Sequence, residues 1–120
     1  MTDAARRVLI VEDEMFVAIL LEDMLSELGY EIAGMASRVA TALPLIGSLD
    51  FDFAILDVNL AGELSFPIAD AIAERGLPYL FASGYGRQGI IPQHSHRPVL
   101  SKPFSSGDLQ SAIASAFKIN

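Results

Sequence analysis

At 120 residues the chain fits one domain, and with 52% hydrophobic against 19% charged residues it carries the apolar mass of a core rather than the makeup of a disordered tail. Fifteen acidic against eight basic residues leave a net charge of −7, which repels phosphate backbones and argues against nucleic-acid binding. The longest apolar run, Met15–Leu21, falls far short of the roughly 20 residues of a membrane span, Met1–Arg7 is polar without a signal-peptide pattern, and the absence of cysteine excludes disulfides and thiolate metal sites, so a cytoplasmic protein is expected.

The elements alternate. Val8–Val11 is a short β-branched run that predicts a strand buried on both faces. Glu14–Leu28 predicts a helix with Val17, Leu21, Met24, Leu25 and Leu28 on one face, stopped by Gly29. Tyr30–Ala36 is a second, less regular strand. Ser37 is placed to cap a helix through Ile46 that Pro44 shortens or kinks. Phe53–Leu56 is a third strand, Pro67–Arg75 a helix ending at Gly76, and Tyr79–Ala82 a fourth strand. Arg87–Arg97, with Gly89 and Pro92, has no helical stripe. Val99–Ser101 is a very short fifth strand. Ser105 and Asp108 have the spacing of a capping box for a last helix presenting Leu109, Ile113, Ala116 and Phe117.

Strand–helix alternation argues for a parallel sheet covered on both faces, and right-handed crossovers put the C-terminal ends of all strands on one edge, where ligands bind. The polar residues at those ends are Glu12-Asp13-Glu14 after strand one, Asp57-Val58-Asn59 after strand three, Ser83-Gly84 after strand four and Lys102-Pro103 after strand five. Three converging carboxylates repel one another, and a hard divalent cation relieves that repulsion. Oxygen ligands in an incomplete set suit Mg²⁺, which keeps several waters. Asp13 and Asp57 are the expected direct ligands, Glu12 a direct or water-bridged one, and the backbone carbonyl of Asn59 a neutral one. Lys102 adds a second positive charge, Ser83 a hydroxyl for a phosphoryl oxygen, and Asp57 a carboxylate nucleophile able to form an aspartyl-phosphate. Glu14 reads as an acidic residue favoured at a helix N-terminus.

Together, Glu12-Asp13, Asp57, Ser83 and Lys102-Pro103, separated by 44, 26 and 19 residues from Asp13 onward, resemble the response-regulator receiver family over about Arg7 to Phe117. The resemblance implies a flavodoxin-like, doubly wound sheet of five parallel strands in the order 2-1-3-4-5 with five helices, the fourth short or irregular here. It implies phosphorylation of Asp57, with Mg²⁺, by a histidine kinase or a histidine phosphotransfer protein. It also implies that Lys102–Pro103 is often cis. Phe81-Ala82-Ser83-Gly84-Tyr85-Gly86 and Lys102-Pro103-Phe104 resemble a narrower subgroup, largely alphaproteobacterial, with a Phe-Ala-Thr-Gly-aromatic motif. The 120 residues leave no effector domain, so output is expected through another protein.

Departures carry consequences. Val99 stands where many receivers have a switching aromatic, and the loop Gly84–Arg97 is expected to change order on phosphorylation. His94 and His96 read as solvated loop residues rather than metal ligands. Tyr85 reads as a partner contact or a lid, and Met15 and Phe16 as partner-facing or half-buried. Haloacid-dehalogenase-type phosphatases resemble this site too, but they place a second Asp two residues after the nucleophile. Asn59 occupies that position and cannot donate the proton, so phosphoryl acceptance with slow self-dephosphorylation is expected rather than turnover. A flavin site is disfavoured because Glu12-Asp13-Glu14 repels a phosphate, and an adaptor-only pseudo-receiver because the set of residues is complete.

Overall fold

The computed structural model describes residues 5–119, so Met1–Ala4 of the polar N-terminal stretch lies outside the described residues. Strand β1 (Arg7–Val11) has Val8, Leu9, Ile10 and Val11 almost wholly removed from solvent, as a central strand covered on both faces requires. It leads into α1 (Met15–Glu27), β2 (Glu31–Ala36), α2 (Val39–Ser48) and β3 (Phe53–Asp57). A two-residue hairpin follows, β4 (Asn59–Leu60) against β5 (Glu63–Leu64), then α3 (Phe66–Glu74), β6 (Tyr79–Ser83), β7 (Val99–Ser101) and α4 (Ser106–Ile119). The main sheet is parallel throughout in the order β2-β1-β3-β6-β7, which is 2-1-3-4-5 once the hairpin strands are set aside.

Alternation along the strands divides the core. Leu9, Val11, Ala54, Leu56, Tyr79 and Phe81 pack on one face with residues of α2 and α3. Val8, Ile10, Phe53, Ile55, Leu80 and Ala82 pack on the other with residues of α1 and α4. Both faces being covered places the strand ends, and only those, at an open edge.

Local differences from expectation have local causes. Helix α2 starts after Arg38 rather than Ser37 and continues through Pro44 to Ser48. The carbonyl that Pro44 leaves without a helical donor belongs to Ala40, and both residues are exposed, so water can serve it. The capping box of α4 forms in both directions: Asp108 N–H donates to Ser105 Oγ at 3.1 Å, and Ser105 N–H donates to Asp108 Oδ2 at 3.0 Å. Lys102–Pro103 is cis.

The five-helix expectation is corrected. Among the described residues there are four α-helices, and Tyr85–Arg97 holds turns and one 3-10 turn, Pro92–His94. Gly86 and Gly89 take φ of 59° and 87°, outside the right-handed helical region, and Pro92 removes another donor. The expectation that His94 is solvated is also wrong. Its ring is buried against Phe66, Tyr79 and Phe81, with a partner on each nitrogen. His96 is exposed, as expected. No helix among the described residues is long and apolar enough to cross a membrane.

Candidate functional site

Each functional side chain sits at, or one or two residues beyond, the end of a buried strand. Glu12 and Asp13 follow β1, Asp57 ends β3, Ser83 ends β6 and Lys102 follows β7. Because the strands are parallel and adjacent, these chain segments meet at one edge. Carboxylate oxygens of Glu12, Asp13 and Asp57 lie within 4.8 Å of one another. Glu12 and Asp57 are buried, whereas Asp13 is more open.

Lys102 ties the two buried acids together. Its Nζ donates to Glu12 Oε1 at 2.9 Å and lies 3.4 Å from Asp57 Oδ2. The other Glu12 oxygen accepts the Glu14 N–H at 3.1 Å. Burial, then the hydrogen bond to Glu12 and its charge, push the Asp57 carboxyl from 3.8 up to about 7, with Asp13 adding to the rise and Lys102 opposing it. Burial pulls the Lys102 ammonium down, but its hydrogen bond to Glu12 and the charges of Asp57 and Glu12 outweigh this and hold it above its ordinary value. One lysine therefore undercompensates three acids.

The hairpin after Asp57 closes the site from the other side. Ala61 and Gly62 turn with φ of 53° and 95°, the primed geometry of a two-residue hairpin. The turn directs the Ala61 N–H to Asp13 Oδ2 at 3.1 Å, and Gly62 N–H donates to Asn59 Oδ1 at 2.7 Å. The Val58 carbonyl accepts the Ser65 N–H at 2.9 Å. Antiparallel pairs alternate, so the Asn59 carbonyl points out of the hairpin ladder. Ser83 is buried, and its Oγ accepts the Tyr85 N–H at 3.0 Å. Asp13, Asp57, Asn59, Ala61, Ser83 and Lys102 line an open cleft of about 630 Å³ together with Tyr85 and Gln88.

The donor set fits a hard divalent cation: clustered carboxylate oxygens, a carbonyl directed away from its own ladder, and an aspartate whose pKa is raised first by burial and then by neighbouring acid whose charge such a cation would offset. All six residues singled out in the sequence line or adjoin this edge. The Ala61 contact to Asp13, 48 residues apart, was not foreseen; the Ala61-Gly62 pair between Leu60 and Glu63 was its only trace. Tyr85 is 81% exposed at the cleft, and Met15 and Phe16 are 75% and 89% exposed on α1 beside it, which excludes half-buried packing for both.

A parallel sheet in this order, with an acidic pocket and a lysine at its C-terminal edge, defines the receiver class. The sequence model of the response regulator receiver domain matches residues 8–114, and the chain belongs to that family. It is 33% identical over 117 residues to the transcriptional regulatory protein PdtaR of Mycobacterium tuberculosis, covering 92% of this chain and 57% of that protein. The chain thus spans little more than half the length of that relative. It is 26% identical over 119 residues to the chemotaxis protein CheY of Pseudomonas aeruginosa, covering 93% and 96% of the two chains. The solution structure of SdrG from Sphingomonas melonis Fr1 aligns with a TM-score of 0.87 at 40% identity over 97% of this chain and 99% of that one. A solution structure of the BeF3-activated conformation of SdrG aligns at 0.81 over 95% and 98%.

Proposed function

We propose that this receiver domain accepts a phosphoryl group on Asp57 and signals through protein contacts. The observation that carries the proposal is the meeting of Asp57, Glu12, Asp13, Ser83 and Lys102 at one open sheet edge, with Asp57 between two acids and a lysine. In the transfer, an Asp57 carboxylate oxygen bonds to phosphorus as the bond from phosphorus to the donor's nitrogen or oxygen breaks. The electron pair leaves with the donor. A phosphohistidine of a histidine kinase or phosphotransfer protein, or a small acyl phosphate, serves as donor.

The chain's own residues position and neutralise. Lys102, already 3.4 Å from Asp57, shifts its ammonium from Glu12 toward the new phosphoryl oxygens. Ser83 exchanges the Tyr85 N–H for a phosphoryl oxygen to which its hydroxyl donates. Glu12, Asp13, Asp57 and the Asn59 carbonyl are the residues that would hold Mg²⁺, whose charge offsets that of the incoming group. Asn59 has its amide oxygen engaged by Gly62 N–H and offers no acid for a leaving group, which favours an acceptor over a turnover phosphatase.

The exposed Met15, Phe16 and Tyr85 beside the cleft are available to partners. An acidic chain without a membrane-spanning helix among the described residues is consistent with a cytoplasmic setting. Borohydride reduction of chain labelled with acetyl phosphate, followed by peptide mapping, tests the acceptor. Conversion of Asp57 to homoserine is expected, and conversion at Asp13 or another carboxylate overturns the assignment.

A further inference from the structure

The segment that replaces a fourth helix is built in two unlike halves. Residues 84–91 rest on turns, Gln88 N–H to the Tyr85 carbonyl at 3.2 Å and Ile90 N–H to the Arg87 carbonyl at 3.3 Å, with Gly86 and Gly89 at positive φ; Ile90 and Ile91 at its end lean on the core, and no hydrogen-bonded side chain of its own ties it to β6 or α3. Residues 92–97 are pinned. His94 Nδ1 is 2.6 Å from the Tyr79 hydroxyl at the start of β6, and its Nε2 is 2.8 Å from Asp70 Oδ1 on α3. Gln93 donates to the same Asp70 oxygen at 2.8 Å. The His94 ring stacks on Phe66 at 5.8 Å and 8°, and the Arg97 guanidinium lies 4.2 Å over the Tyr79 ring.

Both ring nitrogens are therefore engaged: Nε2 donates to the Asp70 oxygen, which accepts, and Nδ1 is paired with the Tyr79 hydroxyl. Tyr79, Phe81 and Ser83 alternate onto one face of β6, so the pinned half abuts the same column of side chains that ends at the candidate site. Val99, paired with Phe81 across the sheet, is a β-branched side chain restricted at χ1 and offers no swinging ring.

We propose that Asp70, His94 and Tyr79 form a latch that fixes residues 92–97 to the body of the domain, so that movement released when Ser83 lets go of the Tyr85 N–H is confined to residues 84–91. The coupling to Ser83 rests on the acceptor reading above; the latch itself does not. Arg87 reaches across the divide to the Ser95 and Arg97 carbonyls at 3.0 and 3.2 Å, but from the surface on a long side chain that can follow the movement. The consequence is a switch segment with a fixed end and a free end, presenting a changed surface beside the cleft while the far side of α3 stays as it is.

Residue-resolved amide hydrogen exchange tests this on the native chain and on Tyr79→Phe and Asp70→Ala, each without and with Mg²⁺ and beryllofluoride. Tyr79→Phe keeps the ring and removes only the hydroxyl, so a folded variant is secured even where His94→Ala would fail to fold. In the absence of beryllofluoride, exchange across 92–97 is expected to rise about five- to tenfold in both variants, with 84–91 and the central strands unchanged. With beryllofluoride, the native chain is expected to change across 84–91 and not across 92–97, while Tyr79→Phe changes across both. Unaltered exchange of 92–97 in both variants overturns the latch, and so does a native response that spreads equally over 84–97. If no bound fluoride signal appears by ¹⁹F NMR, the acceptor reading fails and the latch stands or falls on the comparison without beryllofluoride.

Discussion

Replacing Asp57 by Asn isolates the electrostatic cost of the acidic pocket. The Asp57 carboxyl sits at about 7 in the folded chain against 3.8 for an unhindered aspartate. A folded-state value above the unfolded one means that the native chain binds more protons between those limits, so stability falls as pH rises through that window and the full penalty is present above pH 7. At 1.36 kcal/mol per pH unit the whole interval corresponds to about 4 kcal/mol, of which roughly 3 kcal/mol accumulates between pH 5 and pH 8. Asn keeps the shape and cannot ionise. In EDTA, Asp57→Asn is therefore expected to be more stable than the native chain, with an advantage larger at pH 8 than at pH 5 by roughly 2–3 kcal/mol. Urea unfolding followed by circular dichroism measures this, provided the m-values agree. Saturating Mg²⁺ should shrink or reverse the difference, because the native chain alone presents the full carboxylate set. An Asn variant no more stable at pH 8 than the native chain, or an advantage that does not grow with pH, would refute the reasoning.

Other outcomes follow from single contacts. Lys102→Met removes the ammonium that bridges Glu12 and Asp57, and labelling by acetyl phosphate, followed by mass against time, should slow by about 10²-fold while the circular dichroism spectrum is retained. Gly34→Ala would set a Cβ 2.8 Å from Leu49 Cδ2, the end of a side chain that can turn aside, so a loss below about 1 kcal/mol is expected in urea unfolding, and Gly34→Ala with Leu49→Ala should lose less than the two single changes together. Ala61→Pro removes the N–H that fixes Asp13 and cannot take the positive φ of the turn, so the hairpin carrying the Asn59 carbonyl is displaced as well, and the Mg²⁺ affinity read by isothermal titration should fall while the main sheet remains folded.

What could be read from the sequence was whatever depends on local pattern. Val8–Val11 and Phe53–Leu56 are unbroken apolar runs, and an unbroken run in a strand–helix alternation means a central parallel strand, so the edge holding Asp13 and Asp57 followed from topology. Lys102 and Ser83 joined them for the same reason. What escaped was set by contacts remote in sequence. Nothing near His94 announces that its ring stacks on Phe66, 28 residues earlier, and shares hydrogens with Asp70 and Tyr79. A polar loop containing a histidine looks solvated until the fold brings Phe66, Tyr79, Phe81 and the Asp70 carboxylate alongside. The hairpin after Asp57 is two residues per strand, too short for alternation to register, yet it supplies the Ala61 N–H to Asp13. Pro44 is expected to shorten or kink its helix, and its place on the exposed face of α2 explains why the helix continues to Ser48.

The most direct test is the intact mass of the chain after incubation with acetyl phosphate, with and without Mg²⁺, for the native protein and Asp57→Asn. The account predicts a gain of one phosphoryl group that requires Mg²⁺ and is absent from the variant. A gain that persists in Asp57→Asn, or that is the same in EDTA, would contradict it.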